Sequence, residues 1–235
     1  MSNSYFSFKK FTIYHNRCAM KVGTDGVLLG AWTNISHSQH ILDIGTGTGL
    51  IALMLAQRCE YANVTAIDID EKAIEQATEN ILSSPWNHRV QATLQDIRTY
   101  NPIIKFDTIV SNPPFFINSL KGPDNQRNMA RHTETLDCDI LLEKVAEILD
   151  PNGCFSIIIP AEQTTILIQK ALLHHLYPSR HTAVITRPGL APKRALIEFQ
   201  KQQKKCHKDE LTIEIDRHVY SEDYINLTKD FYLKM

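Results

Sequence analysis

Two short stretches of this chain combine residue types that could do chemistry. Residues 111–116 read SNPPFF and close the apolar run FDTIV. An asparagine followed by two prolines at a strand end makes a stiff, strongly accepting tip. The Asn112 side-chain oxygen and the Pro113 carbonyl can each accept one hydrogen of an amino group, and Pro113 has no N–H to compete with that polarity. Pro114 extends the rigid exit, and Phe115 or Phe116 offers a flat face on which a planar substrate can stack. Read blandly, two prolines simply stiffen a loop. The second stretch, residues 40–49, reads HILDIGTGTG: a short apolar strand, an acid, then a glycine turn that opens a helix. That order of parts is a nucleotide-type cradle.

The spacing of the glycines narrows the ligand. Gly45, Gly47 and Gly49 form GxGxG, whereas a dinucleotide fingerprint needs its third glycine where this chain has Leu50. No Lys-Ser or Lys-Thr follows the glycines, so the turn is not a P-loop. A ligand without a pyrophosphate fits better, and S-adenosylmethionine is such a ligand: glycine lets the backbone approach it closely. It also needs an acid for its ribose hydroxyls, and Asp68 ends the next strand about 20 residues on, where that acid sits in such folds. Asp70 faces the same side only if the strand continues, so Asp68 is preferred. Asp43 could hold the turn or meet the ligand's ammonium, and Asp96 could accept from an adenine amine. Each of these two acids is, taken singly, just as readily a turn or cap residue. Together with the Asn112 tip, the set points to in-line methyl transfer onto a conjugated amine. Such an amine is a poor nucleophile until two acceptors turn its lone pair toward the methyl group. The charge that then develops makes it acidic, so no strong base is required.

The elements that must position these residues alternate. Helices are expected over 50–58, 71–82, 136–149 and 162–173, and strands over 64–68, 90–94, 106–110 and 155–159, with a turn at 150–153. This rhythm implies parallel strands with crossover helices, an α/β doubly wound sheet. Strand-like segments at 182–187 and 194–200 around RPGLAPK predict a hairpin with an antiparallel last strand, 211–215 a further strand, and 222–227 a short helix. At the start, residues 5–14 alternate as one or two short strands with Lys9 and Lys10 at a turn. A helix follows within 22–32, with Thr24 or Asp25 as its N-cap. The loop 118–135 is the longest stretch without a pattern, a length that usually marks a functional segment. The chain thus reads as one domain, with residues 1–35 as an N-terminal hairpin and helix, 36–201 as the core and 202–235 as a C-terminal extension.

The 235 residues carry 43% hydrophobic and 22% charged residues and a net charge of −1, an ordinary globular balance. A polycation is excluded, so any nucleic-acid footprint must be local. Candidates are Lys9, Lys10, Arg17 and Lys21, then Lys121, Arg127 and Arg131 in the long loop, then Lys193, Arg194, Lys201, Lys204, Lys205 and Lys208. The loop set is favoured because it follows the Asn112 tip directly. Five scattered cysteines without a CxxC pair indicate neither a disulfide framework nor a zinc knuckle. With no apolar leader and no apolar run of membrane-spanning length, a cytoplasmic protein is expected, neither secreted nor membrane-bound.

LDIGTGTG, AIDID, the Asp96 segment and SNPPFF together resemble the class I S-adenosylmethionine-dependent methyltransferases that act on amines. The opening FSFKKFTIYHNRCAMKVGTDGVLLGAW, the triplet Arg131-His132-Thr133 and the ending NLTKDFYLKM are similar to the bacterial family that N6-methylates adenine 37 of valine tRNA. The resemblance covers essentially the whole chain. It implies a Rossmann-like, mostly parallel seven-stranded sheet with its last strand antiparallel, a monomer or weak dimer, and no metal. The cofactor would be S-adenosylmethionine, leaving as S-adenosylhomocysteine, and the partner tRNA rather than DNA. Carried over, Gly45, Gly47, Asp68, Asp96 and Asn112 bind cofactor or target, Asn112 to Phe115 form the catalytic loop, and Asp25 lies in the segment closing over the methionine end. Phe116 replaces a more polar residue of related enzymes, which leaves open which phenylalanine stacks on the base. Other amine targets, guanine N2 of ribosomal RNA or protein glutamine, use the same tip, and a catalytically silent RNA-binding relative is the alternative of a different class.

Overall fold

The computed structural model describes residues 4–17, 21–114 and 137–235. β1 (Tyr5–Ser7) and β2 (Thr12–Tyr14) form an antiparallel hairpin with Lys9 and Lys10 at its turn. α1 (Thr24–Trp32) follows; its N-cap is Gly23, without a side-chain cap bond, so neither Thr24 nor Asp25 caps it. The alternating part then runs β3 (His40–Ile44), α2 (Leu50–Arg58), β4 (Asn63–Asp68), α3 (Glu71–Leu82), β5 (Val90–Leu94), β6 (Phe106–Ser111), α4 (Cys138–Ile148), β7 (Leu149–Pro160), α5 (Thr164–Leu173), β8 (Tyr177–Ile185) and β9 (Arg194–Gln200). β10 (His207–Thr212), the small hairpin β11 (Glu214–Asp216) with β12 (Val219–Tyr220), and α6 (Glu222–Thr228) complete it.

The main sheet has the order β10-β8-β9-β7-β6-β3-β4-β5. Only β9 runs against its neighbours; every other pair is parallel. The doubly wound class is as expected, with β9 as the antiparallel strand, but the sheet has eight strands rather than seven. The eighth is the expected extra strand, shifted to 207–212, where it pairs parallel with β8. Its sequence HKDELT buries only Leu211, so its apolar signal is faint. The turn expected at 150–153 is taken up inside β7: pairing starts at Leu149 opposite Phe106, shifts register, and resumes at Cys154. A Cβ on Gly153 would stand 2.8 Å from the Asp107 carbonyl, so this register shift needs glycine.

Two apolar layers sandwich the sheet. Ile41, Val64, Ala66, Val110, Ile158 and Leu196 face α1, α2 and the chain termini. Leu42, Ile44, Ile109, Ile157, Ile159 and Ile197 face α4 and α5. Strands buried on both faces read as unbroken apolar runs, which is why ILDI, FDTIV and FSIII appear so plainly. All parallel strands end on one side, and ligands of such sheets bind outside those carboxyl ends.

Candidate active site

The glycine turn leaves β3 at that end. Gly45, Gly47 and Gly49 have φ of 71°, 56° and 80°, left-handed values that a side chain resists. The turn is bound to the next strand: the amides of Gly45 and Thr46 donate to the Ile67 carbonyl at 2.9 and 3.0 Å, and the Gly47 amide donates to Asp68 Oδ2 at 2.9 Å. Asp68 Oδ1 accepts from the Asp70 amide at 3.0 Å, while Asp70 caps α3 through the Lys72 amide at 2.9 Å. Asp68, not Asp70, is therefore the acid joined to the turn.

Asp43 is completely buried and holds the turn from below. Its Oδ2 accepts from the Thr46 hydroxyl at 2.6 Å and the Ala52 amide at 3.2 Å, while Oδ1 has no hydrogen-bond partner among the described residues. Burial pushes its carboxyl up to about 7; the bonds from Thr46 and Ala52 oppose that rise, and the nearby Asp68 charge adds to it. Asp96 ends the segment after β5 and caps a short turn, accepting from the Arg98 amide at 2.9 Å and pairing with the Arg98 guanidinium at 2.6 Å. The hydrogen bond from Arg98 holds its carboxyl below the usual range. This local partner has no counterpart in the sequence reading.

β6 brings the second stretch alongside. The Ser111 hydroxyl donates to the Ile44 carbonyl at 2.9 Å, joining the last residue of β6 to the last residue of β3. Asn112, the next residue, thus emerges beside the glycine turn; it is half-buried, Pro113 is buried and Pro114 is exposed. Phe115, Phe116, Lys121, Arg127 and Arg131 lie outside the described residues.

α1 packs against α2, the helix that the glycine turn opens. Its small face packs at backbone distance: a Cβ on Gly26 would lie 3.0 Å from Leu50, and one on Gly30 would lie 2.8 Å from Met54 Sδ. Asp25, in its first turn, pairs with Arg194 Nε at 2.8 Å, linking α1 to the start of β9. Sequence reasoning missed Asn80. Its side chain is buried, accepts from the Tyr14 amide at 2.9 Å, and donates to the carbonyls of Tyr14 and Thr48, both at 2.9 Å. It therefore fastens the N-terminal hairpin to the glycine turn. The available signal was a pair of amides, Gln76 and Asn80, on the inward face of α3, where apolar residues belong.

A groove of about 600 Å³ along α3, lined by Glu71, Glu75 and Glu79 with Arg17, lies away from this constellation. It contains none of the residues at the ends of β3 and β6, so the candidate site is the turn and the Asn112 tip. Among the described residues, no cluster of three His, Cys, Asp or Glu side chains could hold a metal ion.

Comparison with known proteins gives this geometry a family. The Methyltransferase small domain model matches residues 21–177. A Phocaeicola vulgatus protein named tRNA1(Val) (adenine(37)-N6)-methyltransferase is 55% identical over 100% of both chains. Proteins of the same name from Bacteroides thetaiotaomicron and Pseudoalteromonas translucida are 51% and 42% identical, covering 100% and 99% of this chain and 100% of their own. This chain belongs to the tRNA1(Val) (adenine(37)-N6)-methyltransferase family. Solved structures agree on the fold. A protein from Agrobacterium tumefaciens, described as a predicted O-methyltransferase, superposes with a TM-score of 0.70 at 18% identity, over 88% of this chain and 96% of its own. A TehB-like S-adenosylmethionine-dependent methyltransferase from Corynebacterium glutamicum gives 0.51 at 18% identity, over 78% and 90%. Family and fold make the protein a methyltransferase with S-adenosylmethionine as the methyl donor.

Proposed function

We propose that this protein methylates N6 of adenine 37 in valine tRNA, the reaction named for its full-length relatives. The observation that carries the reading is the Ser111–Ile44 hydrogen bond, which sets an amine-accepting tip against a glycine turn suited to the donor. The turn passes a simple fit test: among the described residues a Cβ built on Gly45 meets nothing within 4 Å, which leaves space above the backbone for the donor. Gly45, Gly47 and Gly49 would hold the donor, with Asp68 toward the ribose, Asp96 toward the adenine, and Asp43 and Asp25 supporting the turn and α1. S-adenosylmethionine bound there supplies an electrophilic methyl group.

The chain's own residues do the rest. Asn112 Oδ1 and the Pro113 carbonyl accept the two N6 hydrogens, so the nitrogen lone pair is directed out of the ring plane. Pro113 and Pro114 keep the two acceptors in fixed relation, which lowers the entropy of reaching the reactive geometry. Methylation makes the nitrogen acidic, so its proton can pass to water without a dedicated base. Phe115 or Phe116 would stack on the flipped base, with Lys121, Arg127 and Arg131 on the RNA backbone. Residues 1–235 would work as one domain, because the N-terminal hairpin is fastened to α3 and Lys9 binds the Lys229 carbonyl at 2.6 Å.

The test is incubation with labelled donor and tRNA lacking the modification. Label should appear as N6-methyladenosine at position 37; label in guanine, in protein or nowhere refutes the reading. Asn112→Ala should leave donor affinity nearly intact while lowering turnover by orders of magnitude. Equal collapse of both makes Asn112 a structural residue.

A further inference from the structure

The substrate reading requires a basic surface, and the candidate cations between 193 and 205 do not lie together. β9 is seven residues long, so its two ends are about 20 Å apart. Lys201, Lys204 and Lys205 follow its far end; Lys201 Nζ donates to the Leu149 carbonyl at 2.8 Å, at the start of β7 and thus at the amino end of the parallel strands. Lys193 and Arg194 precede its near end, where Arg194 pairs with Pro160, the last residue of β7. Ser111 pairs with Ile157, three residues earlier on the same strand, so Arg194 stands at the Asn112 end of the sheet. Two strand spacings separate β6 from β9, and three separate it from β8, about 10 and 15 Å.

The β8–β9 connection on this end reads TRPGLAPKR: three cations and no acid, in a protein of net charge −1. Residues 187–193 are all exposed. The loop is nonetheless held in one shape. The Leu190 amide donates to the Arg187 carbonyl at 3.2 Å, and Pro188 with Gly189 at φ 80° gives the Pro-Gly pattern of a type II turn. The Lys193 amide donates to the Val184 carbonyl at 2.9 Å, and its own carbonyl accepts from the Ala161 amide at 3.2 Å. Arg194 is engaged by Asp25. Among the described residues Arg187, itself exposed, pairs with the half-buried Glu214 at 3.7 Å, a long contact of little energy that a phosphate can displace. By contrast, the groove along α3 is lined by Glu71, Glu75 and Glu79, and its Arg17 already pairs with Glu75 and Glu79 at 3.7 Å.

From this placement we infer that the β8–β9 loop is an RNA-docking rim, in which Arg187 and Lys193 hold backbone phosphates flanking the nucleotide presented to Asn112. The inference rests on the tRNA reading and names a part of the RNA surface which that reading leaves open. Phosphate contacts of this kind fix register and orientation and carry no base information. A preformed loop loses little entropy on docking.

The experiment compares the full-length protein with Arg187→Ala/Lys193→Ala and with Lys204→Ala/Lys205→Ala, measuring tRNA affinity and methylation kinetics at 50 and 200 mM salt. Each lost phosphate contact on single-stranded nucleic acid lowers the salt exponent by about 0.7, so the first variant should lose about sevenfold less affinity than wild type over that interval. Its KM for tRNA should rise while kcat and donor affinity stay unchanged, and the Lys204/Lys205 variant should match wild type throughout. The inference is overturned if the Arg187/Lys193 variant binds tRNA with wild-type strength and salt dependence, or if the control variant loses as much. Failure of the docking rim leaves methylation of tRNA intact, whereas a wild-type protein that binds no tRNA overturns rim and function together.

Discussion

Replacing Asp43 by asparagine isolates one ionisation at the centre of the glycine turn. In the unfolded chain this carboxyl titrates near 3.8; in the fold, desolvation raises it to about 7, against the pull of Thr46 and Ala52. Between those values the folded state holds a proton that the unfolded state has lost. Stability therefore falls as pH rises, by about 1.4 kcal/mol per pH unit, and levels off above pH 7. The raised interval spans 3.8 to about 7, so the total is about 4 kcal/mol between pH 4 and pH 8. An amide is neutral throughout, and its oxygen can still accept from the Thr46 hydroxyl and the Ala52 amide. Asp43→Asn should thus remove this pH dependence and leave the turn in place. Thermal melts of both proteins without ligand, from pH 4 to pH 8 at one ionic strength, give the answer. For a chain of this size 4 kcal/mol corresponds to a shift in Tm of roughly 10 °C. The variant's Tm should gain that much on the wild type's between the two ends. A difference that stays constant with pH would show that Asp43 Oδ1 has a partner in solution and that the carboxyl is ionised across the range.

Two further substitutions separate support from chemistry. Asn80→Ala strips the partners of the Tyr14 amide and of the Tyr14 and Thr48 carbonyls, which should lower stability by about 2 kcal/mol in denaturant titrations and speed tryptic cleavage at Arg17; unchanged protection of Arg17 refutes the fastening role. Gly30→Ala places a Cβ 2.8 Å from Met54 Sδ and should cost about 1–3 kcal/mol of stability with donor affinity unchanged, whereas Gly45→Ala meets no described atom within 4 Å but is strained at φ 71° and should weaken donor binding instead. Isothermal titration beside thermal melts distinguishes the two, and equal loss in both assays for either glycine contradicts the assignment.

What was legible in the sequence is what depends on neighbours along the chain. The helices over 50–58 and 71–82 and the strand over 90–94 have the bounds their apolar spacing predicts, because each buries a face set by its own residues. The positions of the glycines, Asp43, Asp68 and Asn112 at strand ends were legible for the same reason: each sits at or next to a strand end that is visible in the sequence. The fastenings were not. Ser111 reaches Ile44 across 67 positions, and Tyr14 reaches Asn80 across 66. A serine after a strand or an asparagine in a helix has no local mark of such a bond. The N-cap of α1 failed for a related reason. Thr24 and Asp25 are good caps by type, but Asp25 is drawn to Arg194, 169 positions away, and Gly23 begins the helix without a side chain.

Charge is the case where local reading misleads most. Lys193, Arg194, Lys201, Lys204 and Lys205 lie within thirteen positions and look like one basic cluster. A strand between them makes it two, because extended chain advances about 3.3 Å per residue and seven residues cross the sheet from end to end. In a doubly wound fold the ends are not equivalent: the carboxyl ends bear the site and the amino ends do not. The direction of β9 therefore decides which of these cations can meet a substrate, and that direction is set by its antiparallel pairing with β7 and β8. Were β9 parallel, the 201–205 lysines would stand at the Asn112 end and Lys193 would lead into the amino end, leaving Arg187 alone where β8 finishes. The same composition would then make Lys204→Ala/Lys205→Ala the variant that loses salt-dependent tRNA affinity, so that variant tests the strand direction through its consequence for function.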